Sequence, residues 1–269
     1  EEVVFPVRAD LLESGRRRGR DCGMATLCES FVDLETSRGA MRVHLFTPEG
    51  GGRYPGVVFY SEIFQATGPI RRMAAALAGE GYLVAVPEVY HEFEPLGTVL
   101  AYDAEGTARG NALKVEKEIA SYDEDTAVVV RFLLDHESCS GKIASFGVCL
   151  GGHLALRAGL HPDVRAAGAF YPTDVHTGTL GLGKRDDTLE RLRSAEAALL
   201  FVFGRQDPHV PVEGRRMIHA ALEDAGADFE WHEFNAAHAF LRDEGTRYNP
   251  ALARVAMALL LRFFTEKIG

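Results

Sequence analysis

Cys149 stands in Gly147-Val148-Cys149-Leu150-Gly151-Gly152, between an apolar run, Lys142-Ile143-Ala144-Ser145-Phe146, and a helix-forming run, Leu154-Ala155-Leu156-Arg157-Ala158. Strand, Gly-x-nucleophile-x-Gly, helix is the pattern of a nucleophile elbow, with cysteine where serine more often stands. The glycines have a physical reason. A tight strand-to-helix turn brings backbones together, and residues without side chains leave room for that approach. At a helix N-terminus Cys149 would also meet partial positive charge, which favours thiolate over thiol. The plainer alternative is an inert buried thiol beside a glycine turn. A thiol near neutral pH is mostly protonated, so attack needs a base, and the base works better when a third group fixes its tautomer. Asp207, in Gly204-Arg205-Gln206-Asp207-Pro208, and His238, in Asn235-Ala236-Ala237-His238-Ala239-Phe240, follow Cys149 in the order nucleophile, acid, histidine. Taken singly, Asp207 also reads as a helix-cap or turn aspartate and His238 as a surface histidine.

These residues act together only if the fold gathers them. Residues 28–48 read as two strands joined at Ser37-Arg38-Gly39, with Val32, Leu34, Val43, Leu45 and Phe46 as core candidates. So short a turn makes the pair antiparallel. Pro55 to Tyr60 is nearly all apolar, as in a parallel strand buried on both faces. A loop over Ser61-Glu62-Ile63-Phe64-Gln65, a helix over 69–80 and a strand over 82–87 follow. From Glu88 to about Lys114 the pattern loosens around Pro95, Gly97, Gly106 and Gly110, which reads as a functional wall or lid. Helix is expected over 114–136 with a break near Ser121, then strands over 143–146, 164–170, 197–203 and 229–234. Helices are expected over 150–160, 212–225 and 250–267, and a second irregular stretch over 171–187. The alternation predicts an α/β fold, with a mostly parallel central sheet, an antiparallel N-terminal start and helices on both faces. Ligands bind beyond the carboxyl ends of such strands, and Glu62, Tyr90, Cys149, Tyr171, Asp207 and His238 each follow a predicted strand end.

Length and composition bound the rest. A chain of 269 residues with 46% hydrophobic content fits one domain over residues 28–269 after an N-terminal arm over 1–27. The net charge of -10 argues against nucleic acid or a membrane as partner. Gly15-Arg16-Arg17-Arg18-Gly19-Arg20 reads as part of a solvated arm, and no apolar segment follows it to make an export signal. No run reaches transmembrane length, so a soluble, cytoplasmic protein is expected. Four cysteines do not suggest a disulfide framework; Cys22 and Cys28 could pair on export, and Cys139 reads as a turn residue. His153 is expected to pack or point outward. His91, His161, His176, His209, His219 and His232 lack ligand spacing, so neither a metal nor a cofactor is expected. Monomer and homodimer both remain open.

Five segments carry a family resemblance: Ser61-Glu62-Ile63-Phe64, Pro87-Glu88-Val89-Tyr90, the Cys149 hexapeptide, Gly204-Arg205-Gln206-Asp207 and Ala237-His238-Ala239-Phe240. In order and content they resemble the signature segments of the dienelactone hydrolase (carboxymethylenebutenolidase) family, of the α/β-hydrolase fold. The resemblance implies a Cys149-His238-Asp207 triad acting on a small-molecule ester or lactone. It also implies that Glu62 helps deprotonate the thiol, that the Ile63 and Leu150 amides form an oxyanion hole, and that Arg242 holds a substrate carboxylate. The family's dienelactone-specific members carry a second arginine two positions after the Tyr90 equivalent. Glu92 stands there in this chain, and a carboxylate facing the substrate's own would disfavour dienelactone. Phe64, Tyr90, Tyr171 and Phe240 are the candidate pocket walls. The rival reading is a hydrolase-fold protein that binds a small ligand or senses oxidation through Cys149 without turnover.

Overall fold

The structure is a computed structural model that describes residues 27–269. The arm expected at the N-terminus, with its arginine run and Cys22, lies outside the described residues except for Leu27.

The described chain opens on a hairpin in which β1 (Leu27–Thr36) and β2 (Gly39–Pro48) pair antiparallel along their whole length. β3 (Tyr54–Tyr60) and β4 (Leu83–Pro87) follow, β4 lying antiparallel to β2 and parallel to β3. β5 (Cys139–Val148), β6 (Val164–Phe170), β7 (Ala198–Gly204) and β8 (Phe229–Phe234) add in parallel, giving the sheet order β1-β2-β4-β3-β5-β6-β7-β8. Parallel neighbours need crossovers. These are α1 (Gly68–Gly79), α2 (Ala104–Glu116) with α3 (Ile119–Asp135), α4 (Leu150–Ala158), the short α5 (Thr188–Leu192) and α6 (Val212–Ala225), and α7 (Pro250–Ile268) closes the chain.

Strand alternation sorts the core into layers. Val57, Phe59, Phe146 and Leu200 pack with Leu77 of α1 and Phe263 of α7. Val58, Tyr60 and Ile143 pack with Val129 of α3 and Leu154 of α4, while Leu199, Phe201 and Phe203 meet Ile218 and Leu222 of α6. Each such side chain, fully buried, contributes roughly 1.5–3 kcal/mol. Among the described residues no helix is long and apolar enough to cross a membrane.

Three expectations need correction. The stretch read as irregular from Glu88 to Lys114 contains α2, which runs through Gly106 and Gly110. Those glycines are not turn residues. A Cβ on Gly106 would lie 2.1 Å from the Ala101 carbonyl oxygen and one on Gly110 2.5 Å from that of Ile63, so their bareness lets the helix lie directly on backbone. The helix break falls at Lys117-Glu118 rather than near Ser121, because Lys117 turns extended (φ -72°, ψ 137°). Cys139 begins β5 and is fully buried, not a turn residue before it. The 171–187 stretch is irregular until α5, and it docks on the carbonyls freed at the α2–α3 break: Gly181 N donates to Lys114 O (3.0 Å) and Leu182 N to Lys117 O (2.8 Å).

Candidate active site

β5 delivers Cys149 to the start of α4 with φ 60° and ψ -123°, a backbone state that costs a non-glycine residue about 1–3 kcal/mol and persists only when its surroundings enforce it. They do. The Cys149 amide donates to Phe170 O (3.0 Å), and its carbonyl accepts from Thr173 N (3.3 Å) and Gly152 N (3.1 Å). Around the turn, a Cβ on Gly147 would lie 1.9 Å from the Gly151 carbonyl oxygen, and one on Gly151 would lie 2.1 Å from that of Tyr60.

The loops after β7 and β8 bring Asp207 and His238 to the same place. His238 Nδ1 and Asp207 Oδ2 are 2.6 Å apart, with both residues buried. The other carboxylate oxygen of Asp207 accepts from the His209 amide at 2.8 Å, which fixes the plane of the acid. His238 is flanked edge-on by Tyr171 (centroids 5.0 Å apart) and His209 (4.6 Å). Burial works against a charged His238, but the charge of the Cys149 sulfur and the hydrogen bond to the Asp207 carboxylate outweigh it and push its pKa up to about 10. His209 moves the other way, held down by its own burial and then by the charge of His238.

Glu62, just beyond β3, is buried, and burial raises its carboxyl above the ordinary range against the lowering pull of Arg242, Tyr102 and His238. Tyr102 donates to Glu62 Oε2 (3.0 Å), and its hydroxyl pairs with that of Thr67 (2.6 Å). Arg242 lies with Nη1 3.8 Å from Glu62 Oε2 and its guanidinium over the Tyr102 ring at 4.2 Å. Among the described residues neither the Ile63 nor the Leu150 amide donates a hydrogen bond, so both are available to a ligand. A cavity of about 290 Å³ unites Glu62, Ile63, Phe64, Cys149, His238 and Arg242.

Three of the residues expected as pocket walls are not brought to this cavity. Tyr90 is fully buried with its hydroxyl donating to Gly110 O (3.2 Å), and Tyr171 and Phe240 pack on each other behind His238 (centroids 5.6 Å apart). Glu92 does not face the cavity either. Its carboxylate pairs with Lys117, which is wholly buried, and with Ser121, while Lys117 also meets Asp125 (3.0 Å). The expected repulsion of a substrate carboxylate therefore has no source there: the charge of Glu92 is spent inside the protein. His153 packs inward, its Nδ1 on Thr173 O (2.8 Å) and its Nε2 3.0 Å from Asp186.

Sequence reasoning missed Tyr102, Lys114, Asp174, His209 and Arg247, of which all but Tyr102 line the cavity. The Asp207-Pro208-His209 spacing held a signal for one of them, since an aspartate commonly accepts from the amide two residues on. Tyr102 offered none, reaching Glu62 only through the path of the 88–103 segment.

Comparison with known proteins gives the family and the fold. The sequence model of the dienelactone hydrolase family matches residues 41–268. A Saccharomyces cerevisiae protein named "Putative carboxymethylenebutenolidase" is 41% identical over 255 residues, 90% of this chain and 93% of the relative. The carboxymethylenebutenolidase of Pseudomonas sp. (strain P51) is 30% identical over 229 residues, 83% of this chain and 89% of the relative. Among solved structures, the "Putative Dienelactone Hydrolase" of Klebsiella pneumoniae superposes with a TM-score of 0.78 at 23% identity, covering 90% of this chain and 99% of that one.

Proposed function

The chain belongs to the dienelactone hydrolase family, and from that premise we propose that it hydrolyses small esters or lactones through Cys149, His238 and Asp207, by way of a thioester. The observation that carries this reading is the buried 2.6 Å contact between His238 and Asp207, on a ring that lines the same cavity as Cys149. It leaves His238 with one nitrogen committed to the acid and one free to exchange a proton with sulfur.

Glu62 adds a way to time the reaction. While Arg242 faces Glu62, the arginine's charge steadies the carboxylate and weakens it as a base. A substrate anion that engages Arg242 takes over that charge, and the buried Glu62 becomes the stronger base for the thiol proton. The thiolate then forms a C–S bond at the carbonyl carbon, and the C=O electron pair moves to an oxygen held by the Ile63 and Leu150 amides, worth a few kcal/mol. Collapse breaks the C–O bond and His238 protonates the departing oxygen. Water, deprotonated by His238, attacks the thioester, the acid leaves as sulfur regains its electron pair, and Glu62 returns the thiol proton to Cys149. Thiolates suit good leaving groups such as enols, so unsaturated lactones and activated esters are the substrates of choice and amides are poor ones.

Replacing Cys149 with alanine tests the reading. Turnover of p-nitrophenyl acetate and of an enol lactone is expected to fall at least about a thousandfold, and undiminished turnover would dismiss Cys149 as the nucleophile.

A further inference from the structure

The cavity has a wall that the proposed reaction does not use. The buried lining of the cavity includes Ile63 and Phe64 together with the polar Glu62 and His238 of the proposed reaction. Farther out, α2 turns Thr107, Asn111 and Lys114 toward it at spacings of four and three residues, one face of a helix. The 171–187 segment answers with Asp174, Thr177 and Thr179. Small-molecule pockets are usually apolar with a few polar groups; here every residue that α2 and the 171–187 segment give to the lining is polar.

Resting on the hydrolase reading above, we infer that this outer wall is a hydroxyl-binding subsite. The natural substrate is then a lactone or ester of a polyhydroxylated acid, with adjacent hydroxyls on the part remote from the reacting carbonyl.

The wall is tied together in advance. Lys114 Nζ donates to Asp174 Oδ2 at 2.8 Å, and the two side chains are only 16% and 15% exposed. Burial works to raise the Asp174 carboxyl, but Lys114 outweighs it and keeps it ionised below its ordinary range. Asp174 Oδ1 accepts from the Thr179 hydroxyl (3.1 Å), which pairs with that of Thr177 (2.7 Å). The backbone of Asp174 is itself in the left-handed region (φ 65°), with its carbonyl accepting from Thr177 N (3.2 Å) and Gly178 N (2.9 Å), so the acid is held and not swinging. Asn111 spends one amide hydrogen on Thr107 O (2.9 Å).

What is left over fits a diol. An ammonium has three donors and Lys114 spends one on Asp174; a carboxylate accepts about four hydrogen bonds; the Asn111 amide keeps an acceptor and a donor. A hydroxyl donates and accepts at once, so one can bridge Lys114 and Asp174 while its neighbour meets Asn111. A hydrocarbon chain would strip water from the same groups and return nothing. Fully buried sites of this kind reject the analogue lacking the hydroxyl by about 10⁴-fold or more. With this wall partly open to water, a preference of about 10- to 100-fold is expected.

The test compares a five-membered aldonolactone with unsubstituted γ-butyrolactone, each kcat/KM divided by the lactone's own alkaline hydrolysis rate. The same comparison is made in Asn111→Leu and Thr179→Val, whose folding is checked by circular dichroism. The wild type is expected to prefer the hydroxylated lactone at least tenfold, and each variant to lose most of that preference. A wild-type preference under threefold, or one that survives in both variants, overturns the inference. If p-nitrophenyl acetate is still hydrolysed in a Cys149-dependent way, that failure leaves the hydrolase reading standing; if no ester or lactone is hydrolysed through Cys149, both fall.

Discussion

Replacing Asp207 with asparagine changes one atom pair and inverts the chemistry of His238. The Asp207 carboxylate has two fixed neighbours, the His209 amide at 2.8 Å and His238 Nδ1 at 2.6 Å. The His209 N–H only donates, so the oxygen of the introduced amide must face it, and the NH₂ must then face His238. Nδ1 becomes an acceptor, the ring proton moves to Nε2, and the nitrogen that serves Cys149 in the proposed mechanism can no longer take a proton. The same inversion in serine triads costs about 10⁴-fold. A thiol ionises more readily than an alcohol, so a loss of roughly 10²–10³-fold in kcat/KM is expected, about 3–4 kcal/mol. The pH profile carries a second signature. His238 stays protonated up to about 10 because Cys149 and Asp207 outweigh its burial. Its role as acid toward a poor leaving group is thus present below that pH and lost above it, and losing Asp207 moves the alkaline limb to lower pH. The assay is steady-state hydrolysis of an alkyl ester from pH 6 to 11, with iodoacetamide alkylation of Cys149 as a measure of thiolate. Rates within threefold of wild type, with the limb unmoved, would refute the roles given to Asp207 and His238.

Two further outcomes follow from the same structure. Glu92→Gln is expected to lower stability by about 2–3 kcal/mol in urea unfolding, because the fully buried Lys117 loses one of its two carboxylates. It should leave the ratio of acidic to neutral ester turnover unchanged, and a changed ratio would return Glu92 to the cavity. Glu62→Gln is expected to slow turnover yet stabilise the fold at pH 8. Burial raises the Glu62 carboxyl in the folded state, so the neutral form favours folding at low pH and that advantage is lost as pH rises through the folded pKa. The gap between variant and wild type should close as the pH falls below 4.5, the ordinary value for glutamate; a variant no more stable than wild type at pH 8 would contradict this.

Much of this arrangement was legible because it rests on local rules. Strand alternation put Leu199, Phe201 and Phe203 on one face, and a bare glycine on each side of Cys149 marked the elbow. What failed to read depended on distant partners. Gly106 and Gly110 look like helix breakers until the Ala101 and Ile63 carbonyls are seen pressing on them. Glu92 looks like a pocket charge until Lys117 is found buried against it. Tyr90, Tyr171 and Phe240 follow strand ends or the histidine, as wall residues would, but their rings fill the layer beneath the cavity. Side-chain type and position along the chain do not distinguish a wall from the layer behind it.

The seat of α2 on Ile63 has a consequence for how such a protein can change. No side chain cushions the helix at Gly110, so a tilt that repositions Asn111 or Lys114 also presses on Ile63, the residue whose N–H is proposed to hold the oxyanion. On the proposed mechanism, choice of substrate and speed of reaction are thus mechanically geared to one another. Retuning the outer wall by moving the helix would disturb catalysis, whereas exchanging side chains on a stationary helix would not, and new specificities should arise by the second route.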